Sequence, residues 1–228
     1  MRIPYLSDLW DVLMPRRCAC CGRRLLPDED LLCLGCLAAL PRVGCWGHDN
    51  PAEHRVFGRF AYEHGASFCY YVRESPFARL VQSAKYGDRP WVNAALARLI
   101  VAEWSEWPYD VDVIVPVPIH WRRRLRRGYN QSLALARTLG RRWHLPVETH
   151  CLFKAAYTTS QVGNSFKRRI SHVEGSFVLR HAERLAGRHV LLVDDVLTSG
   201  ATLMACAQAL EHSGAGIRIS FLTLGLSN

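Results

Sequence analysis

No apolar run in the 228 residues approaches the ~20 residues that a membrane-spanning helix requires. The N-terminal residues show no secretory pattern, so none is expected: Asp8 and Asp11 interrupt the apolar residues, and no small-residue cleavage site follows. Internal repeats and low-complexity tracts are absent, which excludes a repeat array. Acidic residues are the scarcer charge, 20 Asp and Glu against 29 Lys and Arg, and the formal net charge is +9. That surplus favours polyanionic partners, whether pyrophosphate, nucleotide or nucleic acid, without choosing among them. With 49% hydrophobic and 21% charged residues, a packed core is expected and global disorder is not. The length suits one ordinary α/β domain with a small appendage. These absences point to a cytoplasmic protein. Its nine cysteines are then expected as thiols or metal ligands, not as a disulfide framework.

What is present centres on one stretch near the C-terminus. Val190-Leu191-Leu192-Val193 is a continuous apolar run, the pattern of a strand buried on both faces of a parallel sheet. It is expected to stop at Asp194 and Asp195. A turn of Thr198, Ser199 and Gly200 follows, then a helical pattern over residues 201–210, with Ala201 and Thr202 in its first turn. The first turn of a helix aims free N–H groups and partial positive charge at one spot. Hydroxyls from Thr198, Ser199 and Thr202 add donors, and Gly200 permits close approach to the backbone. The turn can therefore hold a phosphate. The acidic pair suits neighbouring hydroxyl groups, or a Mg²⁺ reached directly or through water. A phosphate beside a diol describes a phosphorylated ribose. The plainer alternative is a strand end whose acids cap the next helix, but capping needs one acid and not a pair.

Near the other end stand two C-x-x-C pairs, Cys18 with Cys21 and Cys33 with Cys36, separated by eleven residues. Zinc takes four tetrahedral ligands, and two such knuckles supply them; a full thiolate set leaves no open position, so the ion would be structural. Gly22 and Gly35 sit where the tight turns need a permissive backbone. Cys20 is a spare, and Cys45, Cys69, Cys151 and Cys206 read as ordinary buried or half-buried thiols.

Between these landmarks, Leu6, Leu9, Trp10 and Leu13 make a short amphipathic helix. Residues 37–53 read as an irregular linker. Residues 56–62 and 67–72 read as the two strands of a hairpin. Ser75 and Pro76 open a helix whose inner face is Phe77, Leu80, Val81 and Ala84. A second helix covers residues 91–104, and residues 111–117 are another buried strand. Five arginines then fall within residues 122–127, after His120 and Trp121. A run of this kind is most often a solvated face. Here it follows a strand end, where open α/β sheets bind ligands, and arginine forks suit phosphates. A helix follows with Leu133, Leu135, Ala136 and Leu139 inward. Residues 158–172 form a polar loop, Phe177 opens a strand, and residues 217–224 form the last one.

The stretch from Val190 to Thr202 resembles the phosphoribosyl pyrophosphate (PRPP) signature of type I phosphoribosyltransferases. The paired knuckles, Lys85-Tyr86-Gly87-Asp88, Pro116-Val117-Pro118, and Arg127-Gly128-Tyr129-Asn130-Gln131 extend the likeness to the ComF family, which includes proteins of bacterial natural transformation. The resemblance covers nearly the whole chain. It implies an α/β fold of the type I phosphoribosyltransferase kind, a Rossmann-like parallel sheet flanked by helices, over residues 51–228. In front it implies a small N-terminal helix and four-cysteine zinc module over residues 1–50. It implies ribose hydroxyls on Asp194 and Asp195, ribose phosphate on residues 198–202, and Mg²⁺ bound with PRPP. Lys85, His120, Arg122, Arg126 and Arg127 are the basic groups expected at the pyrophosphate. Gln161, Arg168 and Arg169 belong to the polar loop, where His172 stands in place of the asparagine of many members.

Two functions are consistent with these residues. One is transfer of phosphoribosyl from PRPP to a nucleobase, in which case Asp194 and Asp195 are the catalytic carboxylates. Purine-salvage enzymes of similar sequence carry an aspartate, taken as a general base, where Thr198 stands, and threonine cannot do that work near neutral pH. Either the acceptor arrives ionised, another residue serves, or the chain does not transfer. The other function is a binding module that senses PRPP or a nucleotide while its basic surface, with Trp121 and Tyr129, holds single-stranded DNA. For Tyr129, core packing is the preferred reading. In competent bacteria the resemblance implies a role in handling incoming single-stranded DNA beside a helicase-like partner.

Overall fold

Two buried apolar runs of the chain become neighbouring strands. A computed structural model describes residues 15–44, 49–86, 90–155 and 177–227. In it β2 (Val113–Pro116) lies parallel to β5 (His189–Leu197), with Val113 opposite Val190 and Pro116 opposite Val193. On the other side of β5 runs β6 (Arg218–Ser227), and beyond it β1 (Gly65–Tyr71), both parallel as well. The order β1-β6-β5-β2 leaves β5 and β6 inside, which is why residues 190–193 of β5 form an unbroken apolar run and Ser220 and Thr223 of β6 are buried along with its apolar residues.

Alternate residues of these strands feed two cores, one on each face. Ala66, Phe68, Ile114, Leu191, Val193, Leu222 and Leu224 pack on one face against α3 (Pro76–Tyr86), α4 (Pro90–Glu103) and α6 (Gln131–Trp143). Val113, Val115, Val190, Leu192, Ile219 and Phe221 pack on the other against α2 (Pro51–Val56) and α7 (Ala201–Glu211). A small antiparallel pair, β3 (Leu152–Lys154) with β4 (Phe177–Leu179), joins the second core through Leu152 and Phe177. Two further short α-helices lie among the described residues, α1 (Leu34–Ala38) in the cysteine segment and α5 (Trp121–Arg127) after β2, together with a 3₁₀ turn at Ala182–Arg184. Among the described residues no helix is long and apolar enough to cross a membrane.

The helix expected after Ser75 is there, with the Ser75 hydroxyl accepting from the Ala78 N–H at 3.0 Å and Phe77, Leu80, Val81 and Ala84 buried. Other expectations need correction. Residues 56–62 form no strand. Asn50 caps α2 by accepting from the Ala52 N–H at 3.1 Å, Pro51 occupies the first helical position, and the chain then turns through residues 57–64 into β1 alone. Residues 37–53 accordingly contain the end of one helix and the start of another. The strand does not stop at the acidic pair, because β5 continues through Asp194 and Asp195 to Leu197. Gly35 lies inside α1 with an ordinary φ, while Gly22 has φ +75° as a knuckle turn requires. Leu133 is half-buried, whereas Leu135, Ala136 and Leu139 are inside. The N-terminal helix with Leu6, Leu9, Trp10 and Leu13, and also Cys45, lie outside the described residues.

Candidate functional site

Asp194 and Asp195 lie near the C-terminal end of β5, with Asp194 opposite Thr223 of β6. Each carboxylate is oriented by its own strand. Asp194 Oδ1 accepts from the Asp195 N–H at 2.8 Å, and Asp195 Oδ1 accepts from the Val196 N–H at 2.7 Å. The Ser132 hydroxyl, in the first turn of α6, donates to Asp194 Oδ1 at 2.9 Å. Lys85, in the last turn of α3, places Nζ 2.8 Å from Asp195 Oδ2, both groups being mostly buried. The two acids are therefore unequal: one is paired with a cation and the other with a hydroxyl. Desolvation, and then the negative charge of Asp195, pushes the Asp194 carboxyl up to about 7.

The supports trace to the segment before and after α6. The Asn130 side chain caps α6, accepting from the Ser132 N–H at 3.1 Å, and donates to the Val117 carbonyl at 3.0 Å beyond the end of β2. That fixes Ser132 relative to the sheet. The Tyr129 hydroxyl donates to the carbonyl of Ala84, next to Lys85, and accepts from Asn93 Nδ2 at 3.3 Å. Core packing was the expected role of Tyr129, and this half-buried ring ties α3 to the start of α6.

The loop after β5 carries Thr198, Ser199 and Thr202 exposed, with Gly200 buried. Gly200 has φ +78°, and a Cβ there would meet Val56 Cγ1 of α2 at 2.9 Å, so conformation and space both demand glycine. Ala201 opens α7, its N–H donating to the Ser199 hydroxyl at 3.4 Å. From α2 and the turn after it, Arg55 Nη1 donates to the Thr198 carbonyl at 3.0 Å, and Arg59 Nη1 donates to the Ser199 carbonyl. Neither arginine was anticipated. The signal that could have found them is Asn50-Pro51, a helix-start pair. Ser132 gave no local signal, because its partner lies 62 residues away.

The other basic residues are less convergent. His120 is buried and caps α5, its Nδ1 accepting from the Arg122 N–H at 3.2 Å. The Arg122 guanidinium lies 5.2 Å from the centre of the exposed Trp121 ring, and Arg126 is exposed. Arg127 ends α5 in its backbone, and its side chain is outside the described residues, as are Gln161, Arg168 and Arg169.

The thiols of Cys18, Cys21, Cys33 and Cys36 all lie within 4.8 Å of one another, Cys21 and Cys33 at 3.7 Å. A tetrahedral ion with ~2.3 Å bonds to sulfur needs thiolates about 3.8 Å apart, so the cluster could hold a metal. Desolvation pushes the Cys18 thiol up, but hydrogen bonds from the backbone of Cys21, Cys33 and Cys20 outweigh it and bring it to about 6. The Glu29 carboxylate braces the turns, accepting from the N–H groups of Leu26 at 2.8 Å and Leu34 at 2.7 Å. Cys20 stands outside the cluster, with Sγ 3.7 Å from the Pro76 carbonyl.

Comparison with known proteins gives this geometry a lineage. The family model of the phosphoribosyl transferase domain matches residues 92–224, more than half of the chain. Competence protein F of Haemophilus influenzae is 28% identical over 212 residues, covering 87% of this chain and 92% of that protein. DNA utilization protein YhgH of Escherichia coli is 32% identical over 145 residues, covering 61% of this chain and 63% of that protein. Competence protein ComFC of Bacillus subtilis is 29% identical over 138 residues, covering 60% of this chain and 54% of that protein. The chain thus spans less than two thirds of the length of the last two relatives. Its matched domain, its parallel sheet with an acidic pair and hydroxyl-rich loop, and these relatives place the chain in the phosphoribosyl transferase domain family and, within it, in the ComF family.

Proposed function

We propose that the chain binds PRPP at the end of β5 and takes part in the handling of incoming single-stranded DNA. The observation that carries this is the juxtaposition of Asp194 and Asp195 with the loop of residues 198–202 at the head of α7. The loop would hold the ribose phosphate through its N–H groups and hydroxyls, and the acidic pair would hold the ribose hydroxyls. Lys85, Arg122, Arg126 and Arg127 are the cations assigned to the pyrophosphate, with the His120 imidazole beside them, and Gln161, Arg168 and Arg169 are assigned to the polar loop. The carboxylates supply hard oxygen atoms of the kind Mg²⁺ takes, directly or through water, and the metal would neutralise pyrophosphate charge.

In an enzyme with this site, departure of pyrophosphate leaves an oxocarbenium-like ribose. The protein's work is then positioning and charge stabilisation, with no protein nucleophile. Thr198 supplies no base, so a nucleobase acceptor would arrive ionised or find its base elsewhere. The cysteine cluster is assigned a structural Zn²⁺, and residues 1–50 and 51–228 are assigned as module and domain. The names of the relatives, competence protein and DNA utilization protein, support a role in DNA uptake; a helicase-like partner and a cytoplasmic location are assigned with it on the family resemblance alone. A second reading, a sensor of PRPP or nucleotide that binds single-stranded DNA without transfer, is favoured by one observation: Trp121 and Leu125 are exposed on α5 among Arg122, Arg124 and Arg126.

Titration calorimetry with PRPP tests the site. Wild type is expected to bind more tightly with Mg²⁺ than without. Asp194→Asn with Asp195→Asn should lose charge-assisted hydrogen bonds of about 1.5–3 kcal/mol each yet retain weak binding of ribose 5-phosphate. Gly200→Val should abolish binding of both ligands. No PRPP binding by folded, zinc-replete wild type at millimolar ligand would leave the signature an inherited scaffold.

A further inference from the structure

The loop between β5 and α7 is held from behind by a segment outside the matched domain. Helix α2 is anchored to β1 at two places. The Asn50 side chain accepts from the Ser67 N–H at 3.2 Å and donates to the Ser67 carbonyl at 3.4 Å, and Glu53 Oε1 accepts from the Gly65 N–H at 2.8 Å. Val56 is fully buried and stands 2.9 Å from where a Cβ on Gly200 would be. On this fixed platform Arg55 and Arg59 reach the carbonyls of Thr198 and Ser199, across 143 and 140 residues of sequence.

A trans peptide is planar, so its C=O and the following N–H point in opposite directions. The described peptides are all trans. Drawing the Thr198 carbonyl toward α2 therefore turns the Ser199 N–H away from α2. Drawing the Ser199 carbonyl the same way turns the Gly200 N–H with it. Two consecutive donors are thus set on the far side of the loop, beside the first turn of α7, as in an anion-binding nest. A guanidinium donor also polarises the peptide it holds and makes its N–H a better donor.

We infer that Arg55 and Arg59 are positioning residues for the phosphate loop: they hold its carbonyls and so preset the Ser199 and Gly200 N–H groups for a phosphomonoester. The inference rests on the PRPP reading. It extends the functional unit beyond residues 92–224, back to α2.

The test uses the full chain and two readouts. Amide hydrogen exchange at Ser199 and Gly200 is followed by NMR in ligand-free wild type and in Arg55→Ala/Arg59→Ala. Ribose 5-phosphate and Mg²⁺-pyrophosphate are then titrated into each by calorimetry. The variant should exchange faster at those two amides and bind ribose 5-phosphate about tenfold or more weakly, while pyrophosphate binding changes little, because two charge-assisted hydrogen bonds to the loop are gone. Arg59 is exposed and Arg55 half-buried, and an unchanged melting temperature confirms that the fold persists. Arg59→Gln, which keeps a short neutral donor, should fall between the two. Equal exchange and equal ribose 5-phosphate affinity in wild type and variant overturn this inference alone. Failure of wild type to bind ribose 5-phosphate overturns it together with the PRPP reading.

Discussion

Asp194 is where stability and ligand binding pull apart. Burial raises its carboxyl from the ordinary 3.8 to about 7, so the folded chain holds a proton there that the unfolded chain releases. The sign follows from linkage. Stability from this group is full below pH 3.8, is lost as pH rises toward 7, and does not return above it. Asp194→Asn keeps a carbonyl oxygen for the Ser132 hydroxyl and the Asp195 N–H but cannot ionise. It should melt at a higher temperature than wild type at about pH 8, by a smaller margin at about pH 5, and at the same temperature only below pH 3.8, where the wild-type group is neutral in the folded and the unfolded chain alike. PRPP affinity at the higher pH should fall at the same time. Equal melting temperatures at both pH values would mean that the folded site accommodates the charge without cost. The acidic pair was legible because two adjacent carboxylates after an apolar run are unusual. Ser132 was not, because only the fold brings it to Asp194.

Helix α5 is the element where a basic surface meets exposed apolar groups. It has seven residues, begins at the His120 cap and ends at Gly128, whose φ of 75° suits the left-handed C-cap. Trp121 and Leu125 stand one turn apart and are 52% and 76% exposed. If α5 tracks phosphates while Trp121 stacks on a base, Arg122→Ala with Arg124→Ala should weaken single-stranded DNA binding and reduce its salt slope by roughly one per lost phosphate contact. Trp121→Ala should weaken binding with the slope kept. A double variant with wild-type slope would place DNA elsewhere on the molecule. At this scale the sequence was uneven. Helix α3 was readable because Ser75 and Pro76 announce it and eleven residues allow a clear face. Helix α2 has six residues, too few for periodicity, and the β-formers around it suggested a hairpin.

The cysteine segment and the sheet behave as one body. Leu25, Leu31, Leu32, Cys33 and Leu40 share a core with Phe68, Phe77, Leu80 and Val81, and Arg42 clasps both carboxylate oxygens of Glu103 at the end of α4, its Nε 2.8 Å from each. Loss of metal should therefore be felt beyond the knuckles. Elemental analysis is expected to find about one Zn²⁺ per chain, and a strong chelator or Cys33→Ser should lower the melting temperature of the whole chain, because binding free energy of a structural ion is folding free energy. Metal-free protein with an unchanged melting curve would remove zinc from the structural account. The sequence by itself determined the buried strands, the helix after Ser75, the knuckle pairs and the strand–turn–helix around Asp194, since each is written in neighbouring residues through apolar runs, caps and turn formers. Only the tertiary structure decided that β1 pairs with β6, that Lys85 meets Asp195, and that Arg55 and Arg59 hold the loop from behind. Those contacts join residues far apart along the chain, and no local pattern encodes which distant partner a packed helix or a parallel strand will meet.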